Sequence, residues 1–199
     1  MMLLENNPVP DVVLPLAQLK EHLRLATGFA DDADQDAILL RHLRAAMAVV
    51  EAYTGKILIA RDFTWTLFAL RDDTRLALPV APMIEVLHLT QIDPDGTGTV
   101  TDPARWHLVP DPQTPFLRAR HASLPAVPRD GALRIGLRAG LAADWAGLPA
   151  DIALAALMLA AHHYDTRHDL NAGQPGIPVA VRALIDRFRN LRLSAGARP

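Results

Sequence analysis

Apolar and polar positions alternate along the chain in two different rhythms. Leu16, Leu19 and Leu23 recur at helical spacing after Pro15, a residue suited to a first helical turn, and predict a short amphipathic helix to about Leu25 with Gly28 as its stop. Asp31, Asp32 and Asp34 then crowd the start of a second helix, where carboxylates complement free N–H groups. Leu39, Leu43, Ala46, Val50 and Tyr53 form its stripe, widened by Leu40 and Met47, and Gly55 closes it. Beyond Gly55 the period becomes two. Phe63, Trp65 and Leu67 alternate with threonines, and Leu76–Leu78, Ile84–Ile92, Trp106–Val109 and Leu133–Leu137 follow as further extended segments.

Two helices are predicted to end the chain. Pro149 and Asp151 open one that buries Ile152, Leu154, Leu157, Met158 and Ala161 and runs to about Tyr164. A loop with Gly173, Pro175 and Gly176 leads to Pro178 and a helix striped by Val181, Leu184, Ile185 and Phe188. Prolines at 110, 112, 115, 125 and 128 predict a long exposed loop or open hairpin around Arg118, Arg120 and His121. The expected fold is α+β, mainly α: two N-terminal and two C-terminal helices packed together, flanking a small antiparallel β region. It reads as one domain over 1–199, with an extended arm (1–14), helices (15–55), a β region (57–137) holding the 110–128 loop, helices (149–192) and a tail (193–199).

Composition adds mainly exclusions. The chain is 50% hydrophobic but only 5% aromatic, so alanine and aliphatic residues carry its core. Twenty basic residues against 22 acidic ones leave a net charge of −2, which argues against a dedicated DNA-gripping domain. There is no cysteine, which excludes disulfides, Cys-ligated zinc, iron–sulfur clusters and a cysteine nucleophile. The first residues lack a signal-peptide pattern, and no apolar run reaches bilayer length, so a protein that is soluble and intracellular when made is expected.

The one dense group of chemical side chains is His162, His163, Tyr164, Asp165, Thr166, Arg167, His168 and Asp169. Histidines and carboxylates together can hold a metal, and the His168-Asp169 pair matches the doublet of metal-dependent phosphohydrolases. The spacing argues against it: such a site needs a further His well upstream on another helix and an Asp well downstream, whereas these histidines cluster around one helix end, a position that suits them. A structural role is the reading this favours, with a metal-dependent hydrolase using His162, His163, His168 and Asp169 as the alternative. Asp93-Pro94-Asp95-Gly96 is a turn, since Ala104 stands where a calcium loop needs its bidentate Glu. Gly55-Lys56 follows a helix instead of opening one, so it is not a phosphate loop. No catalytic residue, cofactor site or metal site is assigned.

The run from Val50 to Trp65 (Val-Glu-Ala-Tyr-Thr-Gly-Lys-Ile-Leu-Ile-Ala-Arg-Asp-Phe-Thr-Trp) resembles the "VExYTGRxLxxRTW" segment of tailed-phage and gene-transfer-agent head–tail connector (adaptor) proteins. The flanking order is similar too. Leu16–Leu25 resembles the leading helix, Leu78-Pro79-Val80-Ala81-Pro82-Met83 the proline turn, Arg138-Ala139-Gly140 with Asp144-Trp145 the glycine turn, Leu148–Tyr164 the helix ending in His-x-Tyr, and Pro178–Arg189 the closing helix. Lys56, Leu141-Ala142 and Phe188 depart from the pattern. The resemblance implies a non-enzymatic virion protein at the head–tail junction, without cofactors. It implies a ring of about a dozen copies between the portal and a tail-side stopper, through which DNA passes in packaging and ejection without sequence-specific binding. It also implies portal docking by the C-terminal segment, here Arg182, Arg187, Arg189, Arg192 and Arg198. Arg118, Arg120 and His121 are the candidates for a lumen or tail-side contact. A monomeric helical regulator with an Ala-rich binding face is the other competing reading.

Overall fold

The computed structural model describes residues 1–25, 33–167 and 176–189. Gly28, Asp31, Asp32, His168, Asp169, Gly173, Pro175, Arg192, Arg198 and the tail therefore lie outside the described residues. The chain divides into two compact units, Met1–Val13 with Ile57–Leu148, and Leu14–Lys56 with Pro149–Pro199. The α+β class holds, with four helices and two antiparallel sheets among the described residues, and helix exceeds strand only modestly, 35% against 26%.

The first unit is β. Its strands are β1 (Met2–Glu5), β2 (Arg61–Leu67), β3 (Arg75–Ala77), β4 (Met83–Ile92), β5 (Gly98–Val100), β6 (Trp106–Val109), β7 (Phe116–Ala119) and β8 (Ala132–Ala139). One sheet has the order β1-β2-β8-β4-β5 and the other β3-β7-β6. The alternation read from the sequence sends Phe63, Trp65 and Leu67 to the same side as Leu133, Ile135 and Leu137, their cross-strand partners. Leu89 joins them, and Trp106, Leu117 and Leu124 from the second sheet and its loops complete one apolar core.

Three features add to the expectations. The extended arm at 1–14 is tied down: Met2–Glu5 pairs with Phe63–Thr66 as an edge strand, and Asp11–Val13 forms a short 3-10 turn. Of the two forms expected for 110–128, a long exposed loop or an open hairpin, the structure has a hairpin between Trp106–Val109 and Phe116–Ala119, the latter the central strand of the second sheet with Leu117 fully buried. Only residues 110–115 make a hairpin turn, with Asp111 accepting from the N–H groups of Gln113 and Thr114, each at 2.7 Å. β4 carries two register shifts, between Met83 and Glu85 and between Val86 and His88. The extra residues, Ile84 and Leu87, are thereby turned outward and exposed.

The second unit is helical: α1 (Leu16–His22), α2 (Ala33–Thr54), α3 (Ala150–Asp165) and α4 (Val179–Ile185), the last continued by a 3-10 turn over Asp186–Phe188. α2 and α3 pack along their lengths, α4 lies on α3, and α1 touches both α2 and α3. Leu39, Leu43, Ala46, Met47 and Val50 are the buried face of α2, as the stripe requires. Gly55 follows with φ 69°, and its N–H donates to the carbonyl of Glu51 at 2.8 Å. That left-handed cap is why glycine stands here. Lys20 pairs with Asp36 at 2.5 Å and ties α1 to the first turn of α2. α3 buries Ile152, Ala155, Ala156, Leu159, Ala160 and Ala161, while Leu154 is exposed. The near-uniform apolarity of α3 hid which of its faces points outward.

Candidate functional site

Three places carry the chemistry anticipated from the sequence. At the C-terminal end of α3, Thr166 closes the helix by donating to the carbonyl of His162 through both its N–H, at 3.0 Å, and its Oγ1, at 2.7 Å. The Tyr164 ring meets His42 of α2 edge-on at 5.9 Å and lies under the Arg167 guanidinium at 3.8 Å. Its hydroxyl accepts a hydrogen bond from Gln35. His162 and His163 stand beside one another with ring centroids 6.4 Å apart. Among the described residues, no three His, Asp or Glu side chains are placed to share a metal ion. His168 and Asp169, which the hydrolase reading also needs, lie outside them.

Burial acts first on two of these histidines, and charged neighbours second. Partial burial, then Arg167 and Arg41, hold His42 below the ordinary histidine value of 6.5. Partial burial, then His42 and His162, do the same for His163. A folded-state pKa below the unfolded one gives stability that is complete above about pH 6.5 and is lost as pH falls through the lowered value. The helical unit is therefore expected to melt at a lower temperature at pH 5 than at pH 7.5. His42→Gln should flatten that difference, as read by circular dichroism melts at the two pH values.

The second place is the C-terminal segment. Arg187 Nη2 pairs with Asp151 Oδ2 at 2.8 Å, and its guanidinium lies 4.6 Å from the Phe188 ring centroid. Arg189 lies over Tyr53 at 5.4 Å, and the Tyr53 hydroxyl donates to Asp186 Oδ1 at 2.5 Å. That bond to Asp186 raises the Tyr53 pKa. Arg187 and Arg189 thus hold α4 and its 3-10 turn to α3 and α2, a role that helical periodicity alone could not show. Arg182 is exposed on α4.

The third place is the second sheet. Arg118 is exposed in the middle of β7, opposite Arg75 of β3 and His107 of β6. Arg120 Nε donates to the carbonyl of Trp106 at 3.0 Å, and its main-chain N–H donates to the carbonyl of Arg105 at 2.9 Å. His121 follows, exposed. Sequence reading found Arg118, Arg120 and His121 together but missed Arg75, Arg105 and His107, because only strand register brings them to the same sheet.

Comparison with solved structures gives the lineage. A chain in the neck of an empty gene transfer agent (GTA) particle, computed with C6 symmetry, is 45% identical, covers all of both chains and superposes with a TM-score of 0.88. One in the virion of a native GTA particle is 44% identical over 98% of this chain and 99% of its own, with a TM-score of 0.85. This chain belongs to the GTA head–tail connector family. A third match, in the neck of a native GTA particle computed with C12 symmetry, is 41% identical over the full length of both chains, at TM-score 0.83. No family model and no curated protein matches this connector. In it, the Val50–Trp65 run joins the end of α2 to β2, and Gly140 ends β8, so the quoted motifs mark element boundaries. No described helix is long and apolar enough to cross a membrane.

Proposed function

We propose that this connector is a structural adaptor that forms a closed ring between the portal and a tail-side stopper, and that DNA passes through that ring during packaging and ejection. The observation that carries this is full-length similarity, at 41–45% identity, to chains of GTA necks whose structures were computed with C6 and C12 symmetry. Cyclic symmetry needs a heterologous contact repeated around the axis. The chain acts as one connector domain without enzymatic activity. Arg182, with Arg192 and Arg198, forms the portal-docking end, while Arg187 and Arg189 hold that end in place. Arg118, Arg120 and His121 face the lumen or the tail side. A net charge of −2 agrees with a channel that does not bind DNA tightly.

Deleting the gene is the test. Heads and tails are then expected to accumulate unjoined, with joining restored by the wild-type chain, as counted in electron micrographs of purified material. Normal joining in the deletion strain would overturn the proposal. Removal of Ser194–Pro199 is expected to weaken portal attachment in the same assay, and unchanged attachment would remove the docking role of the tail.

A further inference from the structure

The outer face of the three-stranded sheet carries a row of basic side chains. Register places Arg75 opposite Arg118, and Arg118 opposite His107. Residues directly opposite share a face, so these three stand side by side at strand spacings of about 5 Å. The reverse face is core, with Leu117 and Trp106 buried and Leu76, Leu108 and Ala119 packed on them. Arg105 and Arg120, joined through their main chains, flank the row.

Like charges set opposite one another across strands destabilise a sheet unless something of opposite sign lies over them. The carboxylates of the adjoining loops accept hydrogen bonds from their own backbones, and of these Asp72 also lies within electrostatic reach of Arg75. Asp72 accepts from the N–H of Thr74 at 2.8 Å and of Arg75 at 3.1 Å, Asp102 from Ala104 at 2.8 Å, and Asp111 from Gln113 and Thr114 at 2.7 Å. Asp73 and Arg71 are exposed two residues apart in one loop.

The chemistry of the face selects its partner. Its aromatic residue, Phe116, lies beneath the Arg75 guanidinium, 3.9 Å from centroid to Cζ, and its other apolar members are Ala77 and Val109. A protein interface needs an apolar centre, and this face has little to offer one. A phosphate backbone needs only cations at its own spacing. We infer that Arg75, Arg118 and Arg120, with His107 and Arg105 beside them, contact the phosphate backbone of DNA moving through the neck, weakly and without sequence preference. The inference rests on the ring reading above and names which surface of the subunit meets the DNA.

The full chain and a fluorescent mixed-sequence duplex of 20 base pairs, followed by anisotropy between 20 and 200 mM NaCl, test it. Four arginines predict a log–log salt slope of about −3 to −4, at roughly −0.9 per phosphate neutralised. Arg75→Gln/Arg118→Gln should weaken binding by roughly tenfold or more at 20 mM salt and reduce the slope by about 2, while leaving the Arg120–Trp106 bond intact. Arg129→Gln, a change at an exposed residue outside the row, should alter neither. No binding at 20 mM salt, equal binding by the double variant, or tighter binding of poly-glutamate than of DNA would each overturn the inference. The two readings separate: unjoined heads and tails on gene deletion with no DNA binding removes this inference alone, whereas normal joining on deletion removes the ring itself.

Discussion

Ile135→Ala is expected to cost the β unit about 2–5 kcal/mol, the range for truncating a fully buried aliphatic side chain. Ile135 sits at the middle of β8, the central strand of the five-stranded sheet, between Trp65 on β2 and Leu89 on β4. All three are buried in the core shared with the second sheet, so neighbouring side chains have little room to close the cavity. Ile84→Ala is the matched control. The same side chain, turned outward by the first bulge of β4, should cost within about 0.5 kcal/mol. Urea denaturation followed by tryptophan fluorescence reads both changes, and equal effects of the two would contradict the assignment of Ile84 to a bulge.

Gly140→Ala is expected to be nearly as damaging, by about 1–3 kcal/mol of overpacking. A Cβ built there overlaps the main-chain N and Cα of Ala60 and stands 2.9 Å from the carbonyl carbon of Ile59. These are backbone atoms in a fixed crossing. The Ala60 N–H donates to the carbonyl of Ala142 at 2.8 Å, and the Leu141 N–H donates to that of Ile57 at 2.9 Å. Relief would have to break one of those bonds. At Gly136 a Cβ would meet only the His88 imidazole, a side chain that can swing away, so Gly136→Ala should cost less. Thermal melts of the two variants side by side decide the order. A harmless Gly140→Ala would remove the packing reason for the glycine turn.

What the sequence made legible follows from how local each signal is. α2 was readable because a 22-residue helix shows its stripe six times over and ends on a glycine that only a left-handed cap requires. β2 and β8 were readable because Phe63, Trp65 and Leu67, and Leu133, Ile135 and Leu137, recur at every second position and are all buried. β1 was not, since its residues are exposed on both faces and leave no alternation. β5 is three exposed residues. β7 was hidden by the prolines around it and by having a single fully buried residue, Leu117. The candidate surfaces divide in the same way. Arg118 and Arg120 are neighbours in sequence and were found, whereas their cross-strand companions Arg75 and His107 lie 43 and 11 positions from Arg118 and come together through pairing alone. The two roles of the C-terminal arginines were likewise invisible, because Asp151 and Tyr53, which engage Arg187 and Arg189, belong to other helices.

A cryo-EM reconstruction of the neck of particles made by the organism that encodes this chain is the most direct test of the ring. The account predicts a closed ring of this chain alone, between the portal and the next ring on the tail side, with the Arg75–Arg118–His107 face turned to the DNA path. A neck whose density is filled by other chains and contains no copy of this one would contradict it.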